Sequence, residues 1–251
     1  MIEEPFAQGR SLIHRMEPGI KIPAALALSL AAALCKHFSI IWVYLLISIL
    51  LVFAARLDLR AVTKRLKPLF WFLAMIWVLL PLTFEGRILY QYGWVRVTEP
   101  GLLLSAMITL KSVTIVLIFT ALVATMPAAS LGNGLHRLHV PDKLVFLFLM
   151  CYRYIAVIEE EYNRLIRAAR FRGFTPKTDL HSYKTFAYLA GMLFVRASLR
   201  ARRVHKAMLC RGFNGKFHTL DVYLPNRLNS IFLTAVLCVS MGLLIYEHIW
   251  F

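Results

Sequence analysis

The sequence predicts an all-α protein: a polytopic membrane helical bundle that carries a cytoplasmic module of amphipathic helices. Three observations lead there. The 251 residues are 59% hydrophobic and 17% charged, whereas ordinary soluble domains run about 45–50% apolar and about 25% charged. The apolar residues gather into runs of membrane-spanning or near-spanning length. The charge is lopsided, with 29 Lys+Arg against 13 Asp+Glu for a net +16, as expected of a membrane protein with a basic cytoplasmic side. A soluble monomer of this composition would expose apolar patches that such proteins avoid, which excludes the ordinary soluble enzyme. Cys35, Cys151, Cys210 and Cys238 form no C-x-x-C pair, so neither a disulfide framework nor a metal cluster is indicated.

Taken in order, Met1 to Lys21 carries Glu3, Glu4 and Glu17 and lacks the basic start and apolar core of a cleaved secretory signal. The first apolar segment is therefore expected to stay in the mature chain. Apolar runs follow at 22–34, 38–55, 69–83, 101–126, 142–151 and 228–246. Crossing the roughly 30 Å hydrocarbon core takes about 20 helical residues, a length that only 101–126 and 228–246 meet comfortably. Lys36 and His37 alone separate the first two runs, which predicts a hairpin of short helices with Lys36 snorkelling to the outer interface. The third and fourth runs form a second hairpin.

Charge orients these hairpins. Arg56, Arg60, Lys64, Arg65 and Lys67 outweigh Asp58 in the connection 56–67, while Arg87 and Arg96 balance Glu85 and Glu99 in 84–100. The basic connection belongs in the cytoplasm and the balanced one outside, with the N-terminus inside. The stretch 152–227 holds 15 of the 29 basic residues against five acids and is too long for a connector. The resulting organisation is a membrane helical region over 1–151, a cytoplasmic helical module over 152–227 and a C-terminal membrane helix over 228–251. For the basic module to remain inside, the short run 142–151 must be re-entrant or shared with a long amphipathic helix.

The module contains an internal repeat. Arg167-Ala168-Ala169-Arg170-Phe171-Arg172-Gly173-Phe174 aligns with Lys206-Ala207-Met208-Leu209-Cys210-Arg211-Gly212-Phe213, 39 residues later. Each copy ends an amphipathic helical stretch. Ile155, Ile158, Tyr162, Leu165 and Ala169 mark an apolar stripe in the first, and Glu160 precedes Arg164 by one favourable helical turn. Glycine just past a last turn can take the left-handed conformation that stops a helix, and the apolar residue after it can pack back. An arginine there meets the negative end of the helix dipole and offers a five-donor fork suited to carboxylates or carbonyls. The plain structural reading is two well-capped helices; recurrence within one basic module favours a binding role.

These residues resemble the transmembrane (T) subunit of energy-coupling factor transporters, in its cobalt/nickel-uptake branch, whose members carry two Ala-Arg-Gly motifs at the ends of cytoplasmic coupling helices. Here Phe171 and Cys210 stand where the alanine usually does, and the Arg and Gly positions match in both copies. Ser11-Leu12-Ile13-His14-Arg15-Met16-Glu17-Pro18-Gly19-Ile20-Lys21 looks like that family's opening pattern, with Glu17 for Asp and Gly19 for a basic residue. The resemblance implies a non-catalytic subunit of a bacterial or archaeal cytoplasmic (inner) membrane, joining two cytoplasmic ATPase subunits to a substrate-capture membrane subunit. Ala168, Arg172, Gly173, Ala207, Arg211 and Gly212 would be its ATPase-binding residues. It implies no cofactor in this chain, with ATP and Mg held by the partner ATPases, and cobalt or nickel as the transported ion.

Other constellations point nowhere sharper. No G-x-x-x-x-G-K-[ST] occurs, since Phe217 follows Gly215-Lys216 and Cys210 stands where the first glycine would be. His136-x-x-His139 has helical spacing but no acid or cysteine beside it and reads as interfacial histidine rather than a metal site. Lys111 lies ten residues into an apolar run and is expected to pack within the bundle or to meet a backbone carbonyl. A membrane enzyme acting on anionic lipids would show clustered carboxylates or histidines; Glu159-Glu160-Glu161 reads instead as a solvated helix face. A nucleic-acid tether would interleave exposed aromatics with the basic residues or show a recognised fold, and neither is clear.

Overall fold

A computed structural model describes residues 6, 9, 11–84, 88–92, 95–213 and 227–250. The segments with Arg87 and Glu85, and with Gly215-Lys216-Phe217, lie outside the described residues. The chain divides into two compact units, with the boundary at Gly134 and Leu135 and the return near Asp221 and Val222.

The larger unit opens on a single helical turn, α1 (Leu12–Arg15), with Ser11 as its N-cap. The Ser11 hydroxyl lies 2.7 Å from His14 Nδ1, and His14 Nε2 lies 2.8 Å from the Phe6 carbonyl. A carbonyl only accepts, so Nε2 carries the proton and Nδ1 accepts from the serine. Pro18 then starts α2 (Pro18–Leu34), where its missing N–H costs nothing. α3 (Phe38–Ala54) follows after three residues, which is the short hairpin the apolar runs imply. Ala24, Ala25, Ala31 and Ala32 of α2 are buried against Ile40, Tyr44, Ile118 and Leu122, and small side chains let these helices approach closely.

α4 (Leu59–Thr83) is longer than the apolar run 69–83 that marks it. It takes in most of the basic connection, because Lys and Arg are good helix formers and Asp58 accepts from the Arg60 amide to cap its start. It thus joins α5 (Glu99–Leu122) and the 229–247 stretch of α9 (Arg227–Trp250) as a helix long and apolar enough to cross a membrane. Between α4 and α5 the connection forms an antiparallel β-hairpin, β1 (Ile88–Tyr92) with β2 (Val95–Thr98), in which Tyr92 pairs Val95 and Ile88 pairs Thr98. The architecture remains all-α apart from this ribbon. α4 exposes Phe70, Trp71, Phe72, Met75, Trp77 and Val78, a continuous apolar face that suits lipid rather than water.

α6 (Ala128–Arg137) leads into the smaller unit, which is built from α7 (Asp142–Phe171) and α8 (Leu180–Cys210). α7 is unbroken for 30 residues, so the run 142–151 is shared with the amphipathic helix rather than re-entrant.

Gly101 packs in α5 where a Cβ would stand 2.8 Å from the Pro81 Cα and 3.0 Å from the Leu80 carbonyl oxygen. Backbone cannot yield as a flexible side chain does. Gly101→Ala is therefore expected to destabilise the bundle by about 1–3 kcal/mol, read as a lowered melting midpoint of the detergent-solubilised chain.

Candidate functional site at two helix tips

The repeated motif folds into the same structure twice. At the end of α7 the Phe174 amide donates to the Ala169 carbonyl and the Gly173 amide to that of Arg170, at 3.1 and 3.0 Å. At the end of α8 the Phe213 amide donates to Met208 and the Gly212 amide to Leu209, both at 3.0 Å. Each is a paired six-to-one and five-to-two wrap that consumes orphan carbonyls, with glycine in the left-handed position. Gly173 sits at φ +83° and Gly212 at φ +79°. The preceding arginines, Arg172 and Arg211, are the cap residues of their helices and are exposed. Among the described residues neither guanidinium has a hydrogen-bonding or ion-pair partner. Ala168 and Ala207 are exposed one turn earlier, and Phe171, where alanine was expected, is 90% exposed.

The phenylalanine after each glycine anchors its tip to the opposite helix. Phe174 meets Phe186 of α8 edge-on with ring centroids 5.6 Å apart, and Phe213 meets Phe146 of α7 at 5.4 Å. Midway, Glu161 of α7 pairs with Arg196 and Arg200 of α8. These three contacts keep nearly one register, as antiparallel packing requires. The two arginine tips consequently stand at opposite ends of the pair: this register sets Arg172 about 24 residues of α8 before Arg211, a rise of roughly 36 Å. Between the helices runs an apolar groove of about 400 Å³, lined by Met150, Val157, Leu193 and Val204 among others.

Glu161 departs from the solvated acidic face that its sequence suggests. Its side chain is only 13% exposed, because it falls in helical step with Tyr154, Ile158 and Leu165 on the face turned to α8. That spacing was the available signal. The hydrogen bond from Arg196, with Arg164 and Arg200 nearby, holds its carboxyl below the ordinary glutamate value. Glu160, one position earlier, makes the i to i+4 pair with Arg164 that the sequence predicts. Both carboxylates are thus taken up by arginines, whereas a surface catalytic cluster would keep them free. The apolar stripe is only partly covered: Leu165 is buried, while Ile155 and Tyr162 remain exposed.

His136 and His139 do not converge. His136 Nε2 lies 3.0 Å from Asp142 at the start of α7, and His139 takes a left-handed cap position at φ 59°. Among the described residues no three His, Cys, Asp or Glu side chains group as a metal site would. Lys111, expected either to pack within the bundle or to meet a backbone carbonyl, donates to that of Ala33 at 2.8 Å.

A carboxylate with a depressed folded-state value contributes stability above its unfolded value and loses it as pH falls through the folded one. Pairing of α7 with α8 is therefore expected to be fully present above the ordinary glutamate value of 4.5 and to loosen as pH falls below it. Amide exchange of α8 against pH checks this, and Glu161→Gln should flatten the profile. Gly173→Ala places a Cβ in the left-handed region and is expected to weaken the last turn of α7 by about 1–2 kcal/mol, read as faster exchange of its terminal amides.

The comparisons with known proteins follow the same lines. The chain matches the family described as cobalt transport protein, CbiQ, over residues 9–220. It is 29% identical to the energy-coupling factor transporter transmembrane protein EcfT of Bacillus subtilis (strain 168), over 86% of this chain and 85% of that protein. It is likewise 29% identical to the EcfT protein of Listeria innocua serovar 6a, over 98% of this chain and 97% of that one. With both arginine-glycine tips inside the matched span, the chain belongs to the CbiQ family of cobalt transport proteins.

Proposed function

We propose that this chain is the transmembrane scaffold and transmission subunit of an ATP-driven, energy-coupling factor importer whose cargo is cobalt or nickel ions. It is a non-catalytic subunit; ATP and Mg belong to partner ATPases, and cargo capture belongs to a separate membrane subunit. The observation that carries this reading is the pair of like tips, each a glycine wrap offering an exposed arginine, at opposite ends of one antiparallel helix pair. Each tip suits one ATPase, and the rod between them passes movement from one to the other. The family description favours cobalt among the candidate ions, and the relatives' names favour an energy-coupling factor complex.

The glycines support partner approach. α3 ends in the same wrap with Arg56 at φ 50°, and α6 does so with His139. Stopping a helix in this chain thus does not demand glycine. At Gly173 and Gly212 a Cβ would meet nothing within 4 Å, so the space it would fill is left for another surface. The arginine forks then reach carboxylates or carbonyls there, at about 1.5–3 kcal/mol for each charge-assisted bond. The apolar outer face of α8, with Tyr183, Tyr188, Phe194 and Val195 exposed, suits the apolar capture subunit. The excess of basic residues in 152–227 supports a cytoplasmic location for this module and, with the basic connection 56–67, for the N-terminus, at a bacterial or archaeal inner membrane.

Purification of the tagged chain in mild detergent is expected to bring the ATPases with it. Arg172→Ala alone should weaken their binding about tenfold or more. Arg172→Glu with Arg211→Glu should abolish retention while membrane insertion persists; unchanged retention in that double variant overturns the coupling role.

A further inference from the structure

The turn between α2 and α3 is held in an unusual way. Each helix has 17 residues, which rise about 25 Å, less than the roughly 30 Å core. Lys111, which touches this turn, has 12 residues of α5 before it, from Glu99 to Leu110. The turn therefore lies level with the middle of α5 and against the last residues of α9. The last carbonyls of α2 and the first amides of α3 have no helical partners of their own, and leaving such groups unsatisfied beside apolar surroundings is costly.

Two charged side chains from distant helices meet that need. Lys111 of α5 donates from Nζ to the Ala33 carbonyl at 2.8 Å. Glu247 of α9 accepts from the Lys36 amide and from the His37 amide, the latter at 3.1 Å. The signs are those the dipoles favour, a cation at the end of α2 and an anion at the start of α3. The Tyr44 hydroxyl adds a third tie, donating to the Ser240 carbonyl of α9 at 3.2 Å. In the chain, α5 and α9 are the membrane helices on either side of the stretch that carries both arginine tips.

We propose that Lys111 and Glu247 are positioning residues that pin the α2–α3 turn between α5 and α9, so that these two helices move as one body when the tips are driven. The pin itself is read from the membrane unit alone; its consequence for coupling rests on the transmission role above.

Cys35, buried at the turn, is a native reporter. The full chain is placed in lipid nanodiscs, with Cys151→Ser, Cys210→Ala and Cys238→Ser removing the exposed thiols. Modification of Cys35 by a small methanethiosulfonate reagent is then timed. Lys111→Met and Glu247→Gln are each expected to speed it about tenfold or more, while Lys111→Arg, which keeps charge and donors, stays near the parent. Unchanged rates in both neutral variants overturn the pin. So does an equal rise in Lys111→Arg, or in Leu28→Ala, which leaves a cavity without removing a cap. In the assembled complex Lys111→Met should keep the ATPases bound and hydrolysing while uptake per ATP falls. Unchanged uptake per ATP with Cys35 opened overturns the part the pin plays in transmission, whereas loss of ATPase binding in the tip variants bears on the tips alone.

Discussion

An α-helix leaves its first amides and last carbonyls without internal partners, and a chain that is 59% hydrophobic has few polar side chains with which to meet them. The answers found here organise the molecule. Where a short polar side chain is at hand, it caps locally, as Ser11, Asp58 and Asp179 do. Where none is, the backbone wraps on itself behind Arg56, His139, Gly173 or Gly212. At the α2–α3 turn the charges arrive instead from α5 and α9. The second solution, repeated on two long helices, also produces the exposed arginines; the same backbone economy that ends a helix presents a guanidinium.

Much of this was legible in the sequence, and the misses share a cause. Apolar runs located α2, α3, α5 and α9, because a helix surrounded by apolar groups needs little else. The repeat around Arg172 and Arg211 located the tips, because a left-handed glycine followed by phenylalanine is a local signal with a local structure. The start of α4 was obscured by its own lysines and arginines, which orient a helix in a membrane and form helix equally well. Glu161 read as solvated because its charge outweighed its position in the helical period. Glu247 reaching Lys36 and His37 across more than 200 residues left no local trace, since distant caps depend on tertiary packing alone.

The helix pair α7–α8 shows how a strongly basic segment keeps a defined shape. Its arginines do not simply repel; Glu161 gathers Arg196 and Arg200 from the facing helix and lies beside Arg164 on its own. One well-placed carboxylate thereby supplies the crossing point, and aromatic contacts fix the two ends. The remaining cations, Arg172 and Arg211 among them, are left outward. Exposed charges of this kind contribute little to folding, which leaves them available for binding.

The matched tips carry a further geometric consequence. Two antiparallel helices with like ends and one central ion pair approximate a local dyad, running through Glu161 and Arg196 and perpendicular to both axes. Half a turn about that dyad exchanges Arg172 with Arg211 and Phe174 with Phe213. The helix pair thus carries the symmetry of a dimer within a single chain, with an equivalent arginine tip at each end.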